Sequence, residues 1–293
     1  MKILFPNHPL KPRLPDPGYQ TEFDAARDAG FGCEVYSLED LRSGDAIEAT
    51  KYCGMALESN EPIVYRGWMM SEDLYTALFD ALVTKGYRSI TTPMQYAQAH
   101  YLPNAYPFLK GRTSESVWVE GKDVAGAWVK FEHLGRPAAI VKDFVKSAKH
   151  RWKEACYIPA LTERNRFDEI LAAFLQARGN LFEKGIVLRC FHDLVKLEED
   201  IRGQPVNEEY RLFMWQGKLL AATPAIRGNG PFDLLGEWEA IARRFENQFI
   251  SMDIARQQDG SWLIVEVGDG GVTGLPSSIE PLEFYRALHG KMK

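Results

Sequence analysis

The sequence predicts an α/β protein: a small N-terminal parallel-sheet α/β domain, followed by a second domain whose strands are mainly antiparallel. Three observations carry this. Strand and helix signals alternate through residues 1–108, as in a parallel sheet with crossover helices. Beyond the Pro-punctuated stretch "YLPNAYPFLKG" (Tyr101 to Gly111), read as a boundary, strands follow one another with turn residues between them. The last of these flank Asp259-Gly260, a strong hairpin signal.

In the first domain, "KILFP" reads as a strand, Phe23 to Ala29 as a helix closed by Gly30, and "CEVYSL" and "PIVYRGWM" as strands. "SEDLYTALFDALVTKG" is the clearest helix. Ser71 is its N-cap, Glu72 and Asp73 suit the positive end of its dipole, and Leu74, Leu78, Ala81 and Leu82 recur at helical spacing before Gly86. "YRSITT" is one more strand. In the second domain, residues 109–293, "SVWVE" precedes a helix from about Asp123 to Leu134, and "PAAIVKDFV" is an apolar strand with a lysine at its end. "ERNRFDEILAAFLQARG" and "DLLGEWEAIARRF" read as helices. "GIVLRCFHDLVKL", "EEYRLFMW" and "KLLAATPAI" read as strands, the last two joined by a Gln216-Gly217 turn.

Composition narrows the function. The chain has 293 residues, enough for two domains, and its net charge of -5 argues against a general nucleic-acid or membrane-surface binder. Cys33, Cys53, Cys156 and Cys190 form no Cys-x-x-Cys pair, which leaves reduced thiols as the simple reading. The start, "MKILFPNHPL", has too short an apolar run before Pro6 for a signal peptide, and no apolar stretch reaches the roughly 18 residues of a membrane helix, so a cytoplasmic protein is expected.

The hairpin "FISMDIARQQDGSWLIVEVGDGG" poses an electrostatic question. With Asp259-Gly260 as a two-residue turn, Gln258 opposes Ser261, and five residues further along each strand Asp253 opposes Glu266. Met252, Ile254, Val265 and Val267 fall on the other, apolar face. Two carboxylates facing one another call for a shared proton, a basic side chain or a cation such as Mg²⁺, which binds one or two carboxylates together with substrate phosphates; the alternatives are an acid solvated on an edge, or a turn shifted by one residue so that the pairing fails.

Neither G-x-x-x-x-G-K-[ST] nor G-x-G-x-x-G opening a helix is present. In "AAIVKDFVKSAKHRW", Lys142 ends an apolar strand and Lys146, Lys149, His150 and Arg151 follow, either as a phosphate contact with a mobile basic loop or as a solvated charge run. Arg189 in "IVLRCF" and Arg211 in "EEYRLF" alternate with bulky apolar residues, on a polar-lined face or at an edge. No histidine ligand pair, G-x-S-x-G elbow or local cysteine-nucleophile signature appears, so acyl-enzyme chemistry has little support.

The order of these pieces resembles the ATP-grasp superfamily: a strand-ending lysine and loop, a helix, an apolar strand, E-x-R-x-F leading into "GKLLAA", and an acid followed after about a dozen residues by E-V-x-D-G. Within it the chain resembles the R2K clade of phage and bacterial proteins, over roughly Lys110 to Pro276. The resemblance implies a two-lobed grasp domain, with a nucleotide lobe near 110–195 and a metal-binding lobe near 205–293. It makes Lys142 and Lys146 ATP-phosphate contacts and Phe144 to Arg151 a flexible cover. "IVLRCF" becomes the strand beside adenine, with backbone at Leu188 and Cys190 touching the base and Arg189 standing where many members have an acid. Arg211 resembles the arginine facing the γ-phosphate, catalytic together with Lys142. Asp253 and Glu266 resemble the Mg²⁺ ligands; Gly268 stands where a third ligand, asparagine, is usual, with Asp269 its nearest replacement. Lys110 and Arg112 are the nearest candidates for an earlier basic residue. The implied cofactors are ATP and Mg²⁺, and the implied reaction joins a small-molecule or peptide carboxylate to an amine or thiol through an acyl phosphate. Phosphoryl transfer to a hydroxyl and a non-catalytic nucleotide-binding role are the alternatives. The acceptor is expected near "GDGGVTGLP" and "YRGWM", with Arg66 pairing to a substrate carboxylate.

Overall fold

The computed structural model describes residues 1–199, 205–223 and 230–291. The strands are β1 (Lys2–His8), β2 (Lys11–Pro15), β3 (Gly32–Tyr36), β4 (Glu61–Tyr65) and β5 (Tyr87–Ser89), then β6 (Ser116–Glu120), β7 (Ala139–Asp143), β8 (Tyr157–Ile158) and β9 (Gly185–Cys190). The short pair β10 (Lys196–Glu199) and β11 (Pro205–Asn207) follows, and after it β12 (Glu209–Trp215), β13 (Lys218–Ala222), β14 (Phe249–Arg256) and β15 (Trp262–Asp269). The strand read in "KLLAATPAI" is seen as far as Ala222; its residues from 224 lie outside the described residues.

The chain forms two compact units. Met1–Ala99, Tyr210–Ile254 and the chain from Glu266 onward make the first; His100–Glu209 and Ala255–Val265 make the second. The first division between the units falls between Ala99 and His100, and the chain then returns to the first unit twice. Moreover, the N-terminal segment shares one core with the expected metal-binding lobe: Phe5 and Phe31 belong to the same cluster as Phe213, Phe249, Phe284 and Tyr285.

In the first unit β1 pairs in parallel with β3 and β4, and β4 with β5, while β2 folds back antiparallel on the end of β1. The helix Glu72–Thr84 forms as its sequence dictates: the Ser71 hydroxyl accepts from the Leu74 N–H, and Tyr75, Leu78 and Leu82 are buried along one stripe. A second sheet runs β13-β12-β14-β15. Gln216 and Gly217, at φ 50° and 69°, form the expected two-residue turn between β12 and β13.

In the second unit the sheet order is β6-β9-β7-β8, with antiparallel pairing throughout. The helices Val124–His133 and Arg164–Arg178 cover it, packing Phe131, Phe167, Ile170 and Phe174 against Val141, Ile186 and Leu188. The stretch read as a linker is instead a helix, Leu102–Leu109. Pro103 sits in its first turn, where no N–H is needed, and Leu102, Ala105 and Leu109 are buried on one side. The four cysteines are free. Among the described residues no helix is long and apolar enough to cross a membrane.

Candidate active site

Arg211 on β12 and Asp253 on the neighbouring β14 meet in a two-pronged ion pair, Nε to Oδ1 at 2.7 Å and Nη2 to Oδ2 at 2.6 Å. Asp253 is 6% exposed and takes both oxygens into this fork; the Arg211 side chain keeps a third of its surface open. Arg211 also reaches the Gly274 carbonyl through Nη1 at 3.5 Å.

Glu266 lies exposed on β15. The turn beside it differs from the two-residue turn expected. Gln257 N–H bonds the Ser261 carbonyl (2.8 Å) and Gly260 N–H bonds the Gln257 carbonyl (2.9 Å), so three residues turn the chain, with Gly260 at φ 85°. Counted from this end, Asp253 opposes Val265. At the other end Gly270 N–H bonds the Phe249 carbonyl, and Gly268 lies beside Ser251; counted from there, Asp253 opposes Glu266. The two registers differ by one residue of β15, so a bulge lies between the Ser251–Gly268 and Gln257–Ser261 positions, and bulges re-aim the side chains around them.

Asp269 does not join this pair. Three residues beyond Glu266, it is buried, and both its oxygens are engaged: Oδ2 accepts from Asn247 Nδ2 at 2.7 Å and Oδ1 from the Gly271 N–H at 2.7 Å. Burial pushes its carboxyl up to about 6, opposed by these hydrogen bonds. In this position Asp269 anchors the turn that follows β15. Among the described residues no three His, Cys, Asp or Glu side chains gather as a metal cluster. The oxygen donors present, Asp253 and Glu266, suit a hard cation that takes its remaining ligands from phosphate and water.

In the second unit Lys142, half-buried on β7, pairs with Val187 of β9. The following loop is built in rather than a flexible cover from Phe144 onward. Asp143, fully buried, accepts the Val145 and Lys146 N–H groups through Oδ1 and pairs with Arg178 Nε at 2.7 Å through Oδ2. Phe144, Val145 and Ala148 are buried; only Lys149 and His150 beyond them are exposed. Lys146 is thereby held by its backbone four residues from Lys142.

The adenine-side expectation also shifts. β9 lies between β6 and β7, with Leu188 opposite Val117 and Val141, and Cys190 N–H bonds the Glu115 carbonyl. Backbone inside a central strand is committed to its ladder. Phe191 N–H still bonds the Ala138 carbonyl, so ladder pairing ends there, and His192 and Asp193 are the first residues beyond it. Beside this end stand three half-buried aromatics: Trp152 stacked on Tyr157 (5.4 Å, 16°), and Phe191 edge-on to Tyr157 at 5.2 Å. They come from separate segments, so no local motif revealed them. Arg189 is 9% exposed and donates from Nη2 to Thr113 Oγ1 and the Ile264 carbonyl, both at 2.9 Å, which clamps these segments to β9. Arg112 is drawn into the same region, its carbonyl accepting from the Ile264 N–H.

Arg66, expected to meet a substrate, is 1% exposed and holds Glu22 through Nε (2.8 Å) and Nη2 (2.9 Å). Its Nη1 donates to the Gly270 (2.8 Å) and Thr273 (2.5 Å) carbonyls. Burial opposes its charge, but Glu22 holds it firmly protonated. It ties the Gly-rich segment down from beneath.

A four-stranded antiparallel sheet under two helices, and a second sheet carrying an arginine and two carboxylates on adjacent strands, define the ATP-grasp class. Residues 132–288 match the ATP-grasp domain of R2K clade family 3, and the chain belongs to that family. Membership implies ATP binding with Mg²⁺. No curated protein sequence matches the chain. Among solved structures it is similar to D-cycloserine synthetase DcsG (16% identity, all of both chains, TM-score 0.62). It is also similar to a RimK domain ATP-grasp protein from Sphaerobacter thermophilus (11%, 99% of this chain and 98% of that one, TM-score 0.60). A third is the ATP-grasp ligase PsnB, solved with a minimal precursor, Mg and ADP (12%, 99% and 97%, TM-score 0.57).

Two outcomes test this description. Arg66→Met should cost about 3–5 kcal/mol in urea unfolding, because Glu22 is left without its partner, and adding Glu22→Gln should recover part of the loss. For Asp269, a folded-state carboxyl raised above its ordinary value contributes stability at low pH that is lost as pH rises from about 4 through about 6. The stability difference between wild type and Asp269→Asn should therefore change across that window by on the order of 3 kcal/mol; a flat difference refutes the buried-acid reading.

Proposed function

We propose that this chain is an ATP- and Mg²⁺-dependent, ADP-forming ligase that activates a carboxylate as an acyl phosphate and joins it to an amine or thiol. One observation carries the reading: the fork between Arg211 and Asp253, with Glu266 on the adjoining strand, gathers a cation and two acids at one point of an ATP-grasp sheet. The solved ATP-grasp ligase PsnB and the synthetase DcsG support ligation in preference to simple phosphoryl transfer.

In this reading Asp253 and Glu266 hold Mg²⁺, which when bound neutralises phosphate charge. Arg211 pairs with the buried Asp253 carboxylate and offers its open side to the transferring oxygens. Lys142 and Lys146, set four residues apart by the Asp143-pinned loop, contact the phosphates. Base contacts come from the backbone at His192, the first residue beyond the Phe191–Ala138 bond, with Trp152 and Tyr157 as the apolar wall. A substrate carboxylate oxygen attacks the γ-phosphorus as the bond to the ADP oxygen breaks; the nucleophile then attacks the acyl carbon, loses its proton and expels phosphate.

Glu266 is the cleaner residue to test, because it is exposed and its loss does not empty a core position. Glu266→Gln and Asp253→Asn should weaken Mg²⁺-dependent ATP binding by at least the roughly 10- to 100-fold that even an outer partner of a metal contributes, with the circular dichroism spectrum of Glu266→Gln unchanged. Calorimetric titration with ATP, with and without Mg²⁺, measures this. Wild-type affinity in both variants would sink the metal assignment.

A further inference from the structure

The segment Arg66–Met70 leaves the carboxyl end of β4, the end at which open parallel sheets hold their ligands. Its backbone is pinned at Gly67, Trp68 and Met70, on both sides of Met69. Gly67 N–H bonds the Gly271 carbonyl at 2.9 Å; the Tyr65 hydroxyl donates to the Trp68 carbonyl at 2.6 Å, and the Tyr96 hydroxyl to the Met70 carbonyl at 2.7 Å. Only glycine fits at 67, since an added Cβ would stand 2.6 Å from Tyr65 Oη. On this fixed backbone Arg66 and Met70 are 1% and 5% exposed, but Trp68 and Met69 present 44% and 37% of their surface to solvent. Trp68 does not swing free: its ring sits edge-on to Tyr19 at 5.0 Å, against Gly18. Two neighbouring apolar side chains, one an oriented indole, held exposed on a rigid turn, have the make-up of a recognition surface.

The same contacts lead to the proposed reacting centre. Gly271, bonded to Gly67, lies three residues before Gly274, whose carbonyl accepts from Arg211. The Arg66 charge is spent on Glu22 and on backbone carbonyls, so the ledge offers apolar surface and no free charge of its own.

We propose that Trp68 and Met69 determine which acid is activated, selecting a carboxylic acid that carries an apolar or aromatic side chain. This rests on the ligase reading above. Hydroxylamine replaces the natural nucleophile in the test: full-length protein, Mg-ATP and hydroxylamine are combined with N-acetylated glycine, leucine, methionine, phenylalanine, aspartate and glutamate, and hydroxamate is measured. The apolar acids should react with kcat/KM at least tenfold above glycine and the acidic ones. Trp68→Ala should lower the phenylalanine-to-glycine ratio of kcat/KM by roughly 10- to 100-fold, the range a hydrophobic pocket contributes, and Trp68→Phe should restore most of it. Ile47→Ala, at another exposed apolar position, should leave the ratio unaltered. A ratio indifferent to Trp68→Ala, or a preference for the acidic substrates, overturns the inference while leaving ligation intact. Absence of hydroxamate from every acid overturns both.

Discussion

The buried guanidinium of Arg66 is the constraint on which the first unit turns. It joins the end of β4 to the helix Gln20–Asp28 through Glu22, to the Gly-rich segment through the Gly270 and Thr273 carbonyls, and, through Glu22, to the Tyr285 hydroxyl on the helix Pro281–Gly290. A charge taken wholly out of water is costly unless its donors all find partners, and here Nε, Nη1 and Nη2 each have one. The consequence reaches beyond stability. Residues 270–274 have backbone positions fixed from below by Arg66 and from the side by Asp269, Asn247 and Gly67, which is how a glycine-rich segment becomes rigid. Rigid backbone costs no reorganisation when a ligand arrives.

The Arg211–Asp253 fork works differently. Arg66 is satisfied and sealed, whereas Arg211 is one-third open beside an acid that is almost fully buried. That asymmetry suits a carboxylate that exchanges partners: in the absence of a cation the arginine carries the compensation, and a bound cation relieves it of that duty. Thus a basic side chain answers the electrostatic question raised by the hairpin, and the proposed cation would share that acid with it.

What the sequence made legible was local. The helix Glu72–Thr84 with its Ser71 cap, the Gln216-Gly217 turn and the lysine ending β7 each follow from a few consecutive residues, and all formed. The helix Leu102–Leu109 was missed because its prolines look like punctuation, although Pro103 occupies a first turn that tolerates it. The Asp-Gly turn was misjudged by one residue because Gly260 serves equally well as the left-handed third residue of a longer turn. Arg66, Arg189 and Asp269 were read as candidate ligand-binding groups because a charged residue amid apolar neighbours suggests function. Their partners, Glu22, Thr113 and Asn247, lie far away in sequence, and only folding reveals that the charges are already matched.

That distinction separates structural from functional charge in this chain. Arg66, Arg189, Asp143 and Asp269 are each at least nine-tenths buried and bound by several protein partners, so they define backbone positions. Arg211 and Glu266 stand on the same framework with part of their surface open. Trp68 follows the same logic in apolar form: the residues around it are buried and bonded, and its own ring is oriented yet exposed. An exposed group on a fixed backbone loses little entropy on meeting a ligand, and for that reason the open members of these otherwise closed clusters are the ones preorganised to meet one, as the proposed roles require.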